Sequence, residues 1–157
     1  MVTRWLTDDE QRVWRALLGM TSQLRARLNR QLQDVSGLSL ADYDVLVVLS
    51  ETPGQRLRVF EIADALAWEQ SRLSHQLARM KRRGLIKRRE CLTDSRGAII
   101  ELITAGRTAI EQAAPAHVNT VRELLFDGLD QAQVSALGTV ASTVLHRLYQ
   151  DEADLCQ

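Results

Sequence analysis

The sequence has few of the features that mark membrane, secreted or metal-binding proteins. Among its 157 residues the longest uninterrupted apolar stretch runs from Val45 to Leu49, whereas a membrane helix needs about 20 apolar residues. The first ten residues lack the apolar core of a secretory signal, so we expect a cytoplasmic protein with no membrane partner. The only two cysteines, Cys91 and Cys156, form no CxxC unit, and the three histidines are scattered. We therefore expect no metal and no other cofactor.

Catalytic motifs are also missing from the sequence. It contains no GxSxG, no glycine-rich phosphate loop, no HExxH and no pair of carboxylates at a recognisable spacing. We therefore expect a binding protein and not an enzyme. A redox-sensing thiol at Cys91 is an alternative to its role as a small strand residue.

Charge is distributed unevenly along the chain although its formal net charge is zero. Between Arg72 and Arg96 there are nine basic and two acidic residues. From Thr108 to the C-terminus there are two basic and seven acidic residues. A basic segment of this kind is typical of a protein that turns one face to phosphate groups. A solvated charged surface is the alternative interpretation.

Helical periodicity covers most of the chain. Thr7 and Glu10 have the spacing of a capping box, and so do Asp130 and Gln133. Pro115 falls inside the fifth predicted helix and should kink or split it. The six helices are predicted from Thr7 to about Asp34, from Ser39 to the stop at Thr52-Pro53-Gly54, from Val59 to Leu66, from Glu69 to Arg83, from Thr104 to about Phe126, and from Asp130 onward.

The third and fourth helices have the proportions of a helix-turn-helix, with the break at Ala67-Trp68. We expect Phe60, Ile62, Ala63 and Leu66 of the third helix, and Leu73, Leu77 and Met80 of the fourth, to face the core. The other side of the fourth helix is polar, as the side chains that read a DNA major groove must be. The candidate DNA-contacting residues of this helix are Gln70, Ser71, Arg72, Ser74, His75, Arg79 and Arg82.

Two short strands, Leu85 to Cys91 and Ala98 to Ile103, are predicted to follow, joined by a hairpin tip over residues 92–97. Arg88 and Arg89 in the first strand and Arg96 at the tip are candidates for contacts with phosphates or a minor groove. Asp94 could hold the Arg96 guanidinium in place. The alternative is that this aspartate and arginine only fix the turn.

Several segments together resemble the MarR family of transcription regulators. They are Gly37 to Leu46, at the start of the second helix; Val59 to Leu66, the first helix-turn-helix element; Ser71 to Ile86, the recognition helix with its Gly-Leu-Ile exit; Asp94 to Gly97, the Asp-x-Arg wing tip; and Leu102 to Arg107, the entry into the fifth helix. Two departures from the family pattern are Ile103, where a capping threonine is usual, and His75, where many members carry arginine. Thr104 could provide the cap instead.

The resemblance implies a mainly α fold with a small β-wing, a winged helix-turn-helix flanked by N- and C-terminal dimerisation helices. The whole chain, 1–157, would be one domain, with the DNA-binding lobe at about 38–104 and the dimerisation helices at about 7–34 and 104–150. The homodimer would bind a pseudo-palindromic double-stranded operator, with helix 69–83 in the major groove and the wing, 87–100, on the minor groove or backbone. Candidates for the dimer contact are Leu125, Phe126, Leu145, Leu148 and Tyr149.

The resemblance further implies a regulator that is more often a repressor and that can respond to a small aromatic or anionic effector. Trp14, Tyr43 and Trp68 are the candidate effector-pocket residues, although aromatic residues on apolar faces are commonly core. Two other functions remain open on the residues alone. One is a winged-helix protein-interaction module with an acidic partner, and the other is a nonspecific, architectural DNA binder.

Overall fold

The structure, a computed structural model, describes residues 3–90 and 98–155, and side chains as far as residue 150. It divides into two compact units, Met1–Val118 and Asn119–Gln157. In agreement with the sequence, the fold is mainly helical with one small antiparallel sheet. The elements are α1 (Asp8–Ser36), α2 (Leu40–Glu51), β1 (Arg56–Arg58), α3 (Val59–Leu66), α4 (Gln70–Arg82), β2 (Ile86–Arg89), β3 (Ile99–Leu102), α5 (Thr104–Val121) and α6 (Gln131–Leu155).

The first helix, α1, begins with the predicted capping box. The backbone N–H of Glu10 donates to Thr7 Oγ1 over 3.2 Å, and the N–H of Thr7 donates to Glu10 Oε2 over 2.8 Å. The helix ends two residues later than predicted, at Ser36. Leu28 and Leu32 are buried, whereas the earlier members of the apolar stripe, such as Val13 and Leu17, are exposed in the single chain.

Helix α2 forms the centre of the core. Val45, Leu46 and Leu49 are fully buried, as the apolar sequence of this helix predicts. The helix starts at the N-cap Ser39, and Thr52 caps its C-terminal end just before Pro53, so both predicted boundaries are confirmed. Buried residues of α3, α4 and β3 complete the core of this unit: Ile62, Ala63, Leu73, Leu77, Met80, Ile100 and Leu102.

The sheet contains three strands in the order β1-β3-β2, all antiparallel. The two predicted strands are confirmed, but both are shorter than expected. The third strand, β1, was not predicted, because its three residues, Arg-Leu-Arg, are too few for an alternating pattern to stand out. It pairs with β3 so that Leu57 lies opposite Ile100. The predicted tip, 92–97, lies outside the described residues.

The connection from β3 to α5 depends on a close approach at Gly106. A methyl group at this position would overlap the carbonyl oxygen of Leu85. The helix starts at Thr104, which places Ile103 at the N-cap position and rules out Thr104 as the cap. It then continues through Pro115, so the predicted split there is wrong. The regular helix instead gives way to a π-helical turn at Arg122–Phe126.

Helix α6 in the second unit starts as predicted. The N–H of Gln133 donates to Asp130 Oδ1 over 2.8 Å, and the N–H of Asp130 donates to Gln133 Oε1 over 2.9 Å. Its apolar residues, among them Val144, Leu145 and Leu148, are exposed in the single chain. Within the described part of the chain, no helix is long and apolar enough to cross a membrane.

Candidate nucleic-acid interface

The helix-turn-helix has a tight, left-handed break between α3 and α4. Ala67 adopts φ 50°, and the N–H of Trp68 donates to the carbonyl of Ala63 over 2.9 Å. A left-handed alanine costs about 1 kcal/mol, which the packing of the two helices must offset. The core-facing prediction for α4 is confirmed, since Leu73, Leu77 and Met80 are buried. In α3 it holds for Ile62 and Ala63, but Phe60 is 40% exposed, so its inward placement is wrong.

The outward face of α4 carries every residue that was predicted to contact DNA on this helix. All seven are exposed: Gln70, Ser71, Arg72, Ser74, His75, Arg79 and Arg82. A shallow groove of about 810 Å³ brings His75, Arg79 and Arg82 together with Lys81. This face is polar and basic while the rear face is apolar, which is the arrangement that a helix entering a major groove needs.

One polar residue of α4, Gln76, lies among the buried residues and not on the outward face. Its side chain is only 2% exposed, and its Nε2 donates to Asp42 Oδ1 over 2.6 Å. Its Oε1 in turn accepts a hydrogen bond from Arg79 Nη2. Gln76 therefore links a buried carboxylate in α2 to an exposed arginine of the candidate DNA-reading face.

Asp42 is the centre of this polar cluster and is itself 2% exposed. Its Oδ2 accepts from the N–H of Ser39 over 2.8 Å, which completes a capping box, and from Arg83 Nη1 over 2.6 Å. Arg83 Nη2 also donates to the carbonyl of Gly37 over 2.8 Å. Because all of these groups are partnered, the cluster fixes the middle and the C-terminal end of α4 relative to the start of α2. Arg83 is thus occupied within the protein.

Two arginines on the first described wing strand, β2, are held by carboxylates. Arg88 Nε donates to Glu90 Oε1 over 2.7 Å, and Arg89 Nε donates to Glu101 Oε2 over 2.8 Å. Both arginines are exposed, so the predicted contacts with phosphate would require them to exchange partners. Asp94, Arg96, Cys91 and Cys156 lie outside the described residues, and the predicted Asp94–Arg96 contact remains a prediction.

The three predicted effector-pocket residues do not come together. Trp14 is 51% exposed and lines a groove of about 590 Å³ along α1. Tyr43 lines a separate cavity of about 360 Å³ between α2 and α5, together with Arg107 and other residues. Trp68 lies beneath the guanidinium of Arg72, which is 4.1 Å from the ring centroid. Such a contact orients the arginine at the start of α4.

A half-buried histidine beside Tyr43, His117, was not anticipated from the sequence. The rings of Tyr43 and His117 lie 4.4 Å apart between centroids, and His117 Nδ1 has no hydrogen-bond partner in the described part of the chain. Burial lowers the pKa of His117, an effect that the nearby Asp44 partly opposes. Burial, together with Asp44 and Glu51, raises the pKa of Tyr43. Only its apolar helical neighbours could have indicated that His117 is half-buried.

Comparison with known proteins gives consistent results for the sequence and for the fold. A family model described as the MarR family matches residues 36–97. A transcriptional repressor of Bacillus subtilis, YetL, is 27% identical over 95 residues, which are 60% of this chain and 57% of the repressor. The chain thus matches little more than half of that relative's length.

Two solved structures from Streptomyces coelicolor are similar over nearly the whole chain. The MarR family regulator Sco3205, in complex with DNA, is 38% identical with a TM-score of 0.88, over 94% of this chain and 92% of its own. The MarR family regulator AbsC is 37% identical with a TM-score of 0.85, over 94% of this chain and 99% of its own. Identity and coverage at this level show that the chain belongs to the MarR family.

Proposed function

We propose that the protein is a sequence-specific, dimeric DNA-binding transcription regulator that acts as a repressor. The observation that carries this proposal is the construction of α4, with seven exposed polar or basic residues on one side and a buried apolar rear face. Repression is inferred from YetL, a repressor. DNA binding is inferred from Sco3205, whose structure contains DNA.

In this proposal the segment 69–83 lies in the major groove. Arginine pairs with guanine and glutamine with adenine, which gives Arg72, Arg79 and Gln70 base-reading roles. Ser74 and His75 lie within the same exposed surface and can reach bases or phosphates. Because Gln76 holds the Arg79 guanidinium from behind, Arg79 is presented to the DNA with fewer available rotamers. The wing, 87–100, then supplies Arg88, Arg89 and Arg96 to the backbone or the minor groove.

The dimer is proposed from the apolar surface that the single chain leaves exposed. In the described part of the chain, Val13, Trp14 and Leu17 of α1 are exposed, and so are Leu145 and Leu148 of α6. Monomeric proteins rarely expose apolar patches of such extent. A twofold dimer would place two α4 helices in successive major grooves, with half-site centres roughly 10 base pairs apart.

An effector site is proposed at the cavity of about 360 Å³ beside Tyr43. Its lining combines an aromatic ring, apolar side chains such as Val47 and Ile110, the cation of Arg107 and the carboxylates of Glu51 and Glu111. The ring and the apolar side chains suit a small aromatic ligand. Binding there would shift the population between dimers whose α4 helices match the groove spacing and dimers whose helices do not. Trp14 and Trp68 do not contribute to this cavity.

The same family membership bears on catalysis and location. The relatives named above are transcription regulators. We infer that this chain also acts by binding alone and works in the cytoplasm, where it would meet its DNA.

Selection of bound duplexes from a random pool, followed by anisotropy titrations at several salt concentrations, tests the proposal. We expect an inverted repeat, bound at least about 10³-fold more tightly than random DNA. Binding without an enriched site would indicate an architectural protein. No binding even at low salt would favour the protein-interaction module.

A further inference from the structure

We infer that the outer face of the three-stranded sheet is a second phosphate-binding surface, which extends DNA contact beyond α4 and the wing tip. We also infer that Glu101 lowers the affinity of this surface for DNA. This inference rests on the proposed DNA-binding function. It concerns β1, which the sequence did not predict. Arg56, Arg58 and Glu101 lie outside the two segments proposed to contact DNA, 69–83 and 87–100, and Lys87 lies at the start of the second segment.

The strand register defines the two faces of the sheet. Leu57, Ile100 and Arg88 are aligned across the three strands, and Ile86 lies opposite Leu102. This face packs on the core, since Ile86, Ile100 and Leu102 are buried. Side chains alternate along a strand, so the remaining residues share the outer face: Arg56, Arg58, Lys87, Arg89, Ile99 and Glu101.

The outer face is strongly basic. It carries four basic residues and a single acid. Arg56, Lys87 and Arg89 are exposed, and Arg58 is half-buried. Directly opposed side chains on neighbouring strands have Cβ atoms about 5 Å apart, so this charge is concentrated in a small area. The strand β2 follows α4 after the turn at Gly84, so that Lys87 lies five residues beyond the end of the proposed reading helix.

Glu101 occupies the centre of this surface. It lies opposite Arg56 on one side and Lys87 on the other, and it accepts the 2.8 Å hydrogen bond from Arg89 Nε. A carboxylate at this position both occupies Arg89 and repels an approaching phosphate. The remaining positive charge still favours a polyanion, and duplex DNA is the polyanion that a regulator of this kind would meet next to α4.

The test is the salt dependence of binding to a random-sequence duplex of about 30 base pairs, measured by anisotropy with the full chain. Each phosphate contact contributes about 0.9 to the slope of log K against log salt concentration. We expect Arg56→Gln with Lys87→Gln to reduce the magnitude of the slope by about 2 and to weaken binding roughly 10-fold at low salt. Arg56→Lys, which retains the charge, should keep the wild-type slope. Arg4→Gln, a loss of exposed charge before α1, is the matched control and should change little.

Substitution of Glu101 should strengthen DNA binding, whereas substitution of the basic residues should weaken it. We expect Glu101→Gln to tighten binding to random DNA by roughly 3-fold and to steepen the slope by about 0.9. Glu123→Gln, which removes an equal charge outside the sheet, should do neither. If wild type binds DNA but these sheet variants behave like their controls, the sheet inference is wrong and the proposed function stands. If wild type binds no duplex at low salt, both are wrong.

Discussion

Replacement of Asp42 by alanine tests whether the buried polar cluster fixes α4, the proposed DNA-reading helix. The substitution removes the second half of the Ser39 capping box, an interaction whose loss costs about 1 kcal/mol. It also leaves the amide of Gln76 without its partner in a position that is 2% exposed, at a cost of about 1 to 3 kcal/mol. Arg83 is 44% exposed as a side chain, so its lost ion pair adds at most about 1 kcal/mol. We expect a loss of about 3 kcal/mol in the free energy of unfolding.

Asp44→Ala is the matched control two residues away. Asp44 pairs with Arg25 over 3.3 Å, and the arginine side chain is 56% exposed, so the loss should be about 0 to 1 kcal/mol. Thermal unfolding at one fixed protein concentration is the assay, because association raises apparent stability. At about 2 to 4 °C per kcal/mol, Asp42→Ala should lower Tm by roughly 6 to 12 °C. Equal shifts for the two variants would refute the reasoning.

A double-mutant cycle with Gln76→Leu separates the hydrogen bond from the rest of the cluster. When the Gln76 amide is already absent, Asp42→Ala no longer strands a buried donor. The double variant should therefore be more stable than the sum of the single losses predicts, by about 1 to 2 kcal/mol. An additive result would mean that the two side chains stabilise the fold independently.

Four further predictions concern base reading, the wing, packing and pH. Ser74→Ala and His75→Ala should each reduce discrimination against the wrong base by about 1 to 3 kcal/mol, as measured by titration of matched and mismatched duplexes, whereas Ser135→Ala on α6 should not. Arg96→Ala should weaken binding to operator and random duplexes alike and lower the magnitude of the salt slope by about 0.9; an effect confined to the operator would contradict a phosphate role. Gly106→Ala should destabilise the protein by about 1 to 3 kcal/mol in urea unfolding because the methyl group meets the Leu85 carbonyl, while Gly138→Ala, which meets nothing within 4 Å, should be neutral or stabilising. Burial lowers the pKa of His117 from its ordinary value of about 6.5. Just below pH 6.5 the histidine therefore binds more protons in the unfolded chain than in the folded one, and acid favours unfolding. Tm should fall as the pH is lowered below about 6.5, and it should fall less in His117→Gln.

The helices could be predicted from the sequence because their determinants are local. Thr7 with Glu10 and Asp130 with Gln133 specify helix starts within four residues, and a turn glycine such as Gly84 marks an end. Strand β1 depends instead on pairing with β3, more than forty residues away in the chain, and three residues carry no periodicity of their own. The break at Pro115 was predicted from a general rule. In α5 the helix nevertheless continues, and the irregular turn comes at Arg122–Phe126.

The candidate interface shows the same division between local and distant determinants. An apolar stripe at i, i+4 and i+7 orients α4, and this is sufficient to place Arg72, Ser74 and His75 outside. It cannot show that Gln76, polar and on the same helix, faces inward, because its partner is a carboxylate 34 residues earlier. Burial of a polar side chain is tolerated only where each polar atom is partnered. The two partners of Gln76 lie on opposite sides of it: Asp42 is in the core, and Arg79 is on the exposed face of α4. The residue that departs from the amphipathic pattern is thus the one through which the core positions Arg79, the arginine that we propose reads DNA.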